Sequence, residues 1–200
     1  MVLDCAIATA RYSDIAFIDK DLTHKSIAGY PVFCEREIVA SGDGVSSFYE
    51  NHDEVIVAIG SNELRLKISS DLTNDGIRLA TLIHPSAVVS KFSTVREGTV
   101  ILANAVVNPF SSIGVACIVN SGAIVEHDCV IGNGTHISPG AVLSGSVTVG
   151  DEAWICAGSS ITNNVQIGAG SIVGLGAVVL SDVPRCAVVY GVPAKVQGYR

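Results

Sequence analysis

Aliphatic residues recur at every sixth position through the second half of the chain. This register runs unbroken from Ile83 to Val179, and a small or slender residue follows each aliphatic one four positions later, from Ala87 to Val183. A strict period of six matches neither the 3.6-residue period of an α-helix nor the simple alternation of a β-strand. The pattern therefore predicts a parallel β-helix over residues 83–184, in which each hexapeptide forms one side of a triangular coil.

Seventeen hexapeptides give between five and six coils of three sides each. The aliphatic residues are expected to stack inside the coils, and the small residues are expected to fit where two sides meet. Glycine and asparagine fill many of the corners, as at 132–134 and 168–170, where the backbone needs positive φ. A bare scaffold without chemistry is the alternative, because some antifreeze proteins also repeat strictly.

Residues 1–82 follow a different pattern, which predicts a small Rossmann-like α/β domain. The segments 15–19 and 55–60 are apolar runs that end in a polar residue or glycine, as short buried parallel strands do. Between Asn62 and Gly76, an amphipathic helix is predicted from apolar residues four positions apart, namely Leu64, Ile68 and Leu72.

Ligands of such domains bind outside the carboxyl ends of the strands, so substrate-binding residues are expected at these ends. The candidates are Asp19, Gly60, Ser61 and Asn62, although Asp19 is also an ordinary residue for a turn after a strand. A complete nucleotide-binding unit normally opens with a strand and a glycine-rich loop. This chain begins in what is predicted to be the following helix, so the domain is expected to be truncated at its N-terminus.

Composition and charge narrow the function classes. With 48% hydrophobic and 16% charged residues, the chain has the composition of a packed globular protein. A net charge of −7 without a lysine and arginine cluster opposes nucleic-acid binding. Neither a membrane span nor a secretory leader is visible, so a cytoplasmic protein is expected. The six cysteines form no C-x-x-C pair and are expected to be reduced thiols.

One stretch of the predicted β-helix carries a cluster of titratable residues. Glu126, His127 and Asp128 are consecutive, and His136 is expected on a neighbouring side of the coil. A histidine can remove a proton from an amine or hydroxyl nucleophile, and an adjacent carboxylate would orient it. His127 is therefore the candidate catalytic base, with a solvated corner residue as the alternative.

A metal site is a second alternative, because γ-class carbonic anhydrases share this fold and bind zinc through three histidines. The cluster in this chain contains two histidines, His127 and His136. A third ligand would have to be a carboxylate or His84, which the register places more than two coils from His127. No metal is expected.

Several motifs together resemble the bacterial sugar acyltransferase family. That family includes the nucleotide-amino-sugar N-acetyltransferases of bacillosamine and perosamine synthesis and the sialic acid O-acetyltransferases. The matching segments occur in order along nearly the whole chain: Phe17-Ile18-Asp19, Ala58-Ile59-Gly60-Ser61-Asn62-Glu63, Leu82-Ile83-His84-Pro85-Ser86-Ala87, Asn120-Ser121-Gly122-Ala123-Ile124-Val125-Glu126-His127-Asp128 and Gly191-Val192-Pro193-Ala194-Lys195.

The resemblance implies a left-handed β-helix, a homotrimer with active sites between neighbouring prisms, and direct transfer from acetyl-coenzyme A. It implies that His127 is the general base, that Asp128 tunes it and that Asn120 is a nearby polar contact. It also implies that His136 faces acetyl-coenzyme A, and that the Gly145 N–H holds the thioester carbonyl.

The resemblance extends to the rest of the cofactor. Ala157 and Leu175 correspond to positions whose backbone meets the pantetheine arm. Pro193 and Lys195 lie in the C-terminal extension, residues 185–200, which is expected near the nucleotide end of the cofactor.

The substrate domain departs from the family pattern. Members usually carry two acids at the end of the second strand, whereas Asp19 is followed by Lys20 and then Asp21, and the glycine-rich loop is missing. An N-acetyltransferase acting on a nucleotide-linked amino sugar is the leading hypothesis. An O-acetyltransferase acting on sialic acid or another sugar comes second, and a non-catalytic or metal-binding β-helix third.

Overall fold

The computed structural model describes residues 1–20, 25–35 and 52–200. Asp21 lies outside these residues. The elements of the N-terminal part are α1 Val2–Ala8, β1 Phe17–Asp19, β2 Ser26–Ile27, β3 Tyr30–Cys34 and α2 Asn62–Asn74. Strand β1 pairs in parallel with β3, and β2 pairs antiparallel with β3.

The β-helix follows as a series of two-residue strands, one in each hexapeptide. The strands are β4 Leu82–Ile83, β5 Val88–Val89, β6 Thr94–Val95, β7 Val100–Ile101, β8 Val106–Val107, β9 Ser112–Ile113, β10 Ile118–Val119, β11 Ile124–Val125, β12 Val130–Ile131, β13 His136–Ile137, β14 Val142–Leu143, β15 Thr148–Val149, β16 Trp154–Ile155, β17 Ser160–Ile161, β18 Gln166–Ile167, β19 Ile172–Val173 and β20 Val178–Val179.

From β4 to β17, each strand pairs in parallel with the strand three places further along the chain, as β10 does with β13. The strands thus form three sheets: sheet 1 from β4 to β19, sheet 2 from β5 to β20 and sheet 3 from β6 to β18, each taking every third strand. Corner 1 denotes the turns from sheet 1 to sheet 2, corner 2 those from sheet 2 to sheet 3, and corner 3 those from sheet 3 back to sheet 1. The predicted parallel β-helix with three hexapeptides to a coil is confirmed.

The inside of the prism is a continuous apolar core. From Ile101 to Val179, the second residue of every strand is buried, and so is the small residue four positions after it as far as Val183. Ile83, in the first coil, is 38% exposed because no further coil stacks beneath it. The rigid stack fixes the position of every side chain that the corners carry.

The corners share one backbone requirement. From the turn at 96–99 onward, the third residue of each turn has positive φ, and this position repeats every six residues from Gly98 to Gly176. Glycine occupies half of these positions, but Phe110, Asp128 and Ser146 also adopt φ of 60 to 64°. Asparagine and aspartate tolerate this left-handed conformation better than most residues do.

The N-terminal part contains one of the two strands that its sequence predicts. The strand predicted at 15–19 is present as β1, but in 55–60 only Val55 pairs, through an isolated parallel bridge with Leu79. The carbonyls of Ile59 and Gly60, which a strand ladder could use, instead accept hydrogen bonds from Arg65. The helix predicted between Asn62 and Gly76 is present as α2.

The buried side of α2 matches the predicted apolar face only in part, because Leu72 is buried and Ile68 is partly buried, whereas Leu64 is not. Leu64 is 45% exposed, whereas Arg65, Ser69 and Leu72 are buried, with Arg65 only 1% exposed. The helix packs against corner 3, where the backbone carbonyls of Ala116, Gly134, Glu152 and Ala153 face it. Such a surface requires hydrogen-bond donors, so a long cationic side chain occupies the interface.

Arg65 joins α2 to two successive turns of corner 3. Its Nε donates to the Ala116 carbonyl at 2.8 Å and its Nη2 to the Gly134 carbonyl at 2.7 Å. Nη2 also donates to Asn62 Oδ1 at 2.8 Å, and Asn62 Nδ2 donates to the carbonyls of Glu152 and Ala153 in the next turn. These two side chains fix the α/β domain along three coils of the prism.

A C-terminal hairpin closes the far end of the β-helix. Its strands are β21 Ala187–Gly191 and β22 Ala194–Tyr199, and β21 continues sheet 1 beyond β19. None of the helices among the described residues has the length and apolar character needed to cross a membrane.

Candidate active site

His127 and Asp128 lie in corner 2, between β11 and β12. His127 Nδ1 is 2.7 Å from Asp128 Oδ2, and both side chains are more than half exposed. The positive φ of Asp128 turns the chain at this point, so two consecutive residues can form the pair. Because a carboxylate only accepts, Nδ1–H donates to it and Nε2 keeps a free lone pair. The pair has the arrangement of a general base with its orienting carboxylate.

Gly145 occupies the same place in corner 2 one coil further on. The His127 ring lies directly over it, since a Cβ on Gly145 would be 2.6 Å from His127 Cε1 and 2.7 Å from Nε2. The two turns are also joined through the backbone, because the Ser146 N–H donates to the His127 carbonyl at 2.9 Å. The predicted base and the predicted oxyanion donor are therefore adjacent.

His136 begins β13 in sheet 1 and contacts Asn120. Asn120 Oδ1 accepts from the Ser121 N–H at 2.8 Å, which leaves the amide NH₂ facing His136 Nε2 at 3.1 Å. An amide NH₂ can only donate, so Nε2 accepts and the ring proton is on Nδ1. Asn120 thereby selects the neutral tautomer of His136 that presents an N–H from Nδ1.

The electrostatic environment of His136 favours the same neutral form. Burial lowers the pKa of His136 to about 4, and the positive charge of Arg65 contributes in the same direction. The ring is therefore uncharged near neutral pH. It can donate one hydrogen bond without acting as a cation.

The residues around His136 form an outward-facing polar and aromatic patch. The Trp154 ring stacks with that of His136 at a centroid distance of 6.1 Å and an interplanar angle of 7°, and its Nε1 donates to Ser138 Oγ at 2.9 Å. Ala157 and Leu175 lie in later turns of corner 1, and Leu175 is 76% exposed. The sequence prediction omitted Trp154 and Ser138, which the coil repeat places beside His136 and Asn120.

His127 and His136 lie on different parts of the prism. His127 is in corner 2, between sheets 2 and 3, whereas His136 is on sheet 1, and β12 and a turn of corner 3 separate the two residues along the chain. Within the described part of the chain, no hydrogen bond or ring contact joins the His127–Gly145 group to the His136–Trp154 group.

The predicted substrate residues of the α/β domain have other neighbours. The Asn62 side chain is engaged with Arg65 and corner 3 as described, and the Gly60 carbonyl accepts from Arg65 Nη1 at 3.3 Å. Asp19 is the exposed last residue of β1. Their role in substrate binding stays a prediction.

The C-terminal candidates lie in the hairpin. Pro193 is between β21 and β22, and Lys195 is an exposed residue of β22. Their place near the cofactor nucleotide also stays a prediction.

An exposed aromatic pair lies in corner 2, on the same corner as His127. Phe92 and Phe110, in the first two turns of corner 2, stack at 5.8 Å and are both more than half exposed. Sequence analysis missed this pair, although its members are one coil apart and Asp128 is one coil beyond Phe110.

Among residues 1–20, 25–35 and 52–200, no group of three or more histidine, cysteine or acidic side chains could hold a metal ion.

Comparison with known proteins extends these observations. A family model of the PglD N-terminal domain matches residues 1–72. The acetyltransferase domain of PglB from Neisseria gonorrhoeae FA1090 is 36% identical, with 98% of this chain and 93% of that chain covered and a TM-score of 0.87. The same domain has also been solved in complex with acetyl coenzyme A.

A histidine variant of perosamine N-acetyltransferase from Caulobacter crescentus, in complex with CoA and GDP-perosamine, is 35% identical. The match covers 98% of this chain and 90% of that chain, with a TM-score of 0.89. WeeI from Acinetobacter baumannii AYE is 29% identical over 98% of this chain and 93% of its own, with a TM-score of 0.76. No curated protein sequence matches the chain significantly.

The fold, the paired His127 and Asp128, and identities above 30% over nearly full-length chains agree. The chain therefore belongs to the family of sugar acyltransferases with hexapeptide repeats, and it is an acetyltransferase that uses acetyl-coenzyme A.

Proposed function

We propose that this enzyme transfers the acetyl group of acetyl-coenzyme A to the amine of a nucleotide-linked amino sugar. The observation that carries the proposal is the His127–Asp128 pair, which leaves Nε2 open as a base. Support for the substrate class comes from the perosamine N-acetyltransferase, whose structure contains CoA and GDP-perosamine. We also propose that the enzyme acts in the cytoplasm, in keeping with its six unpaired cysteines.

The chemistry needs a neutral amine, because a protonated one has no lone pair to attack with. His127 Nε2 takes a proton from the nitrogen as the C–N bond to the acetyl carbonyl forms. The tetrahedral oxyanion is stabilised by the Gly145 N–H. Collapse of this intermediate breaks the C–S bond, and the proton held by His127 passes to the departing thiolate. No acyl-enzyme forms.

We assign the cofactor to the surface formed by His136, Ala157 and Leu175, with Pro193 and Lys195 at the nucleotide end. This surface and the His127 group lie on different corners of one chain, so a single prism presents two half-sites. A homotrimer in which corner 2 of one protomer faces corner 1 of its neighbour would complete each site. Closed rings of identical subunits produce such repeated interfaces.

The proposal is tested by product analysis. Incubating the enzyme with acetyl-coenzyme A and a nucleotide-linked 4-amino sugar should release one free thiol per sugar consumed and yield an amide, identified by NMR. The matched sugar with a hydroxyl in place of the amine should give no product. An acetyl ester formed from that hydroxyl sugar at a similar rate would contradict N-acetylation and favour the O-acetyltransferase alternative.

A further inference from the structure

The His127 ring packs so closely on Gly145 that no side chain fits between them, and this contact does not involve the backbone hydrogen bonds of Gly145. An added Cβ at Gly145 would lie 2.6 Å from His127 Cε1, 2.7 Å from Nε2 and 3.2 Å from Nδ1. All three distances are to one imidazole ring, and the first two are shorter than real Cβ contacts allow. The ring therefore occupies the space that any side chain at position 145 would take.

The backbone at Gly145 does not itself require glycine. Its φ lies outside the left-handed region, unlike that of the neighbouring Ser146 at 60°. The equivalent places in other turns of corner 2 carry side chains, namely Lys91, Pro109, His127 and Asn163. The turn therefore accepts a side chain at this place in the other coils.

We propose that Gly145 is a positioning residue for His127. Because glycine has no side chain, the imidazole can occupy the space beside it, where Nδ1 reaches Asp128 and Nε2 faces the substrate. The inference rests on the proposed function, in which His127 is the base. It is distinct from the backbone role assigned to Gly145, because alanine at this position keeps the N–H group. A displacement of the base by about 1 Å can lower a rate about 100-fold.

The Gly145→Ala variant tests the proposal directly. We expect kcat to fall about 100-fold while CoA binding is unchanged, followed through the fluorescence of Trp154, the single tryptophan. In NMR spectra, the His127 Nδ1–H and Cε1–H resonances should shift as the ring leaves Asp128. The control is Ser70→Ala on the exposed surface of α2, a residue with no assigned role in the site, so kcat should not change.

The double variant His127→Ala/Gly145→Ala keeps the test decisive if Gly145→Ala folds poorly. Removing the ring makes room for the methyl group, so the double variant should be as stable and as active as His127→Ala alone. Added loss of stability or activity in the double variant would overturn the proposal. So would wild-type kcat in Gly145→Ala, or a lowered kcat with unshifted His127 resonances.

Failure of the proposed function gives a different result. If His127 is not the base, His127→Ala keeps its activity, whereas the NMR shift in Gly145→Ala still reports whether the glycine positions the ring.

Discussion

Replacing His127 with alanine is expected to lower kcat for acetyl transfer by about 100- to 10,000-fold, the range that general bases contribute. The KM for acetyl-coenzyme A should change little, because His127 acts on the proton of the amine and the variant keeps every residue assigned to the cofactor surface. Asp128→Asn should also lower kcat, since an amide can donate to Nδ1 and so favour the wrong tautomer. Free thiol release measures the rate, and Trp154 fluorescence measures CoA binding.

The matched control for this prediction is His84→Ala. His84 is an exposed histidine in corner 1 that bonds to Ser86 Oγ and lies outside the site described, so its loss should leave kcat unchanged. If His127→Ala retained the wild-type kcat while His84→Ala did the same, His127 would not be the base.

Replacing Arg65 with alanine is expected to destabilise the protein by about 3 to 5 kcal/mol, among the largest effects of a single substitution. The guanidinium donates to four backbone carbonyls and to Asn62 Oδ1 while almost fully buried. Its removal leaves the carbonyls of Ala116 and Gly134 without these donors and opens a cavity at the interface. Lysine at this position should recover only part of the loss, because its ammonium lacks the planar fork.

Urea denaturation of both variants, followed by circular dichroism and Trp154 fluorescence, measures this change. Lys67→Ala on the exposed face of α2 is the control, since its pair with Asp71 is solvent-exposed and worth at most about 0.5 kcal/mol. An Arg65→Ala variant as stable as Lys67→Ala would show that the α/β domain does not depend on this contact.

The β-helix could be predicted from the sequence because the same kind of core residue, an aliphatic one, recurs at every sixth position. Each aliphatic residue from Ile101 onward meets its counterpart in the next coil, so the period alone determines the architecture. The His127–Asp128 pair was equally accessible, because the two residues are adjacent in the chain. Interactions within one turn or between identical places in successive turns leave a direct trace in the sequence.

The interface between the domains left no such trace. An apolar spacing suggested that Leu64 faces inward, but α2 packs on carbonyl groups and buries Arg65 instead. The sequence did contain one signal for this interface, namely that Asn62, Arg65 and Ser69 lie on one face of the helix. That face is polar, whereas a buried helix face is usually apolar. The places of His127 and His136 on the prism can be predicted from the sequence, because the six-residue register assigns every residue to a side or to a corner.

In the proposed homotrimer, each acetyl-transfer site combines corner 2 of one protomer with the cofactor surface of its neighbour. Two inactive chains test it most directly when co-expressed with different tags: His127→Ala, and a variant carrying both His136→Ala and Ala157→Trp. Trimers purified through both tags contain one interface at which both halves are intact, so we predict about one third of the wild-type rate. Doubly tagged trimers as inactive as the two parent variants would contradict the claim.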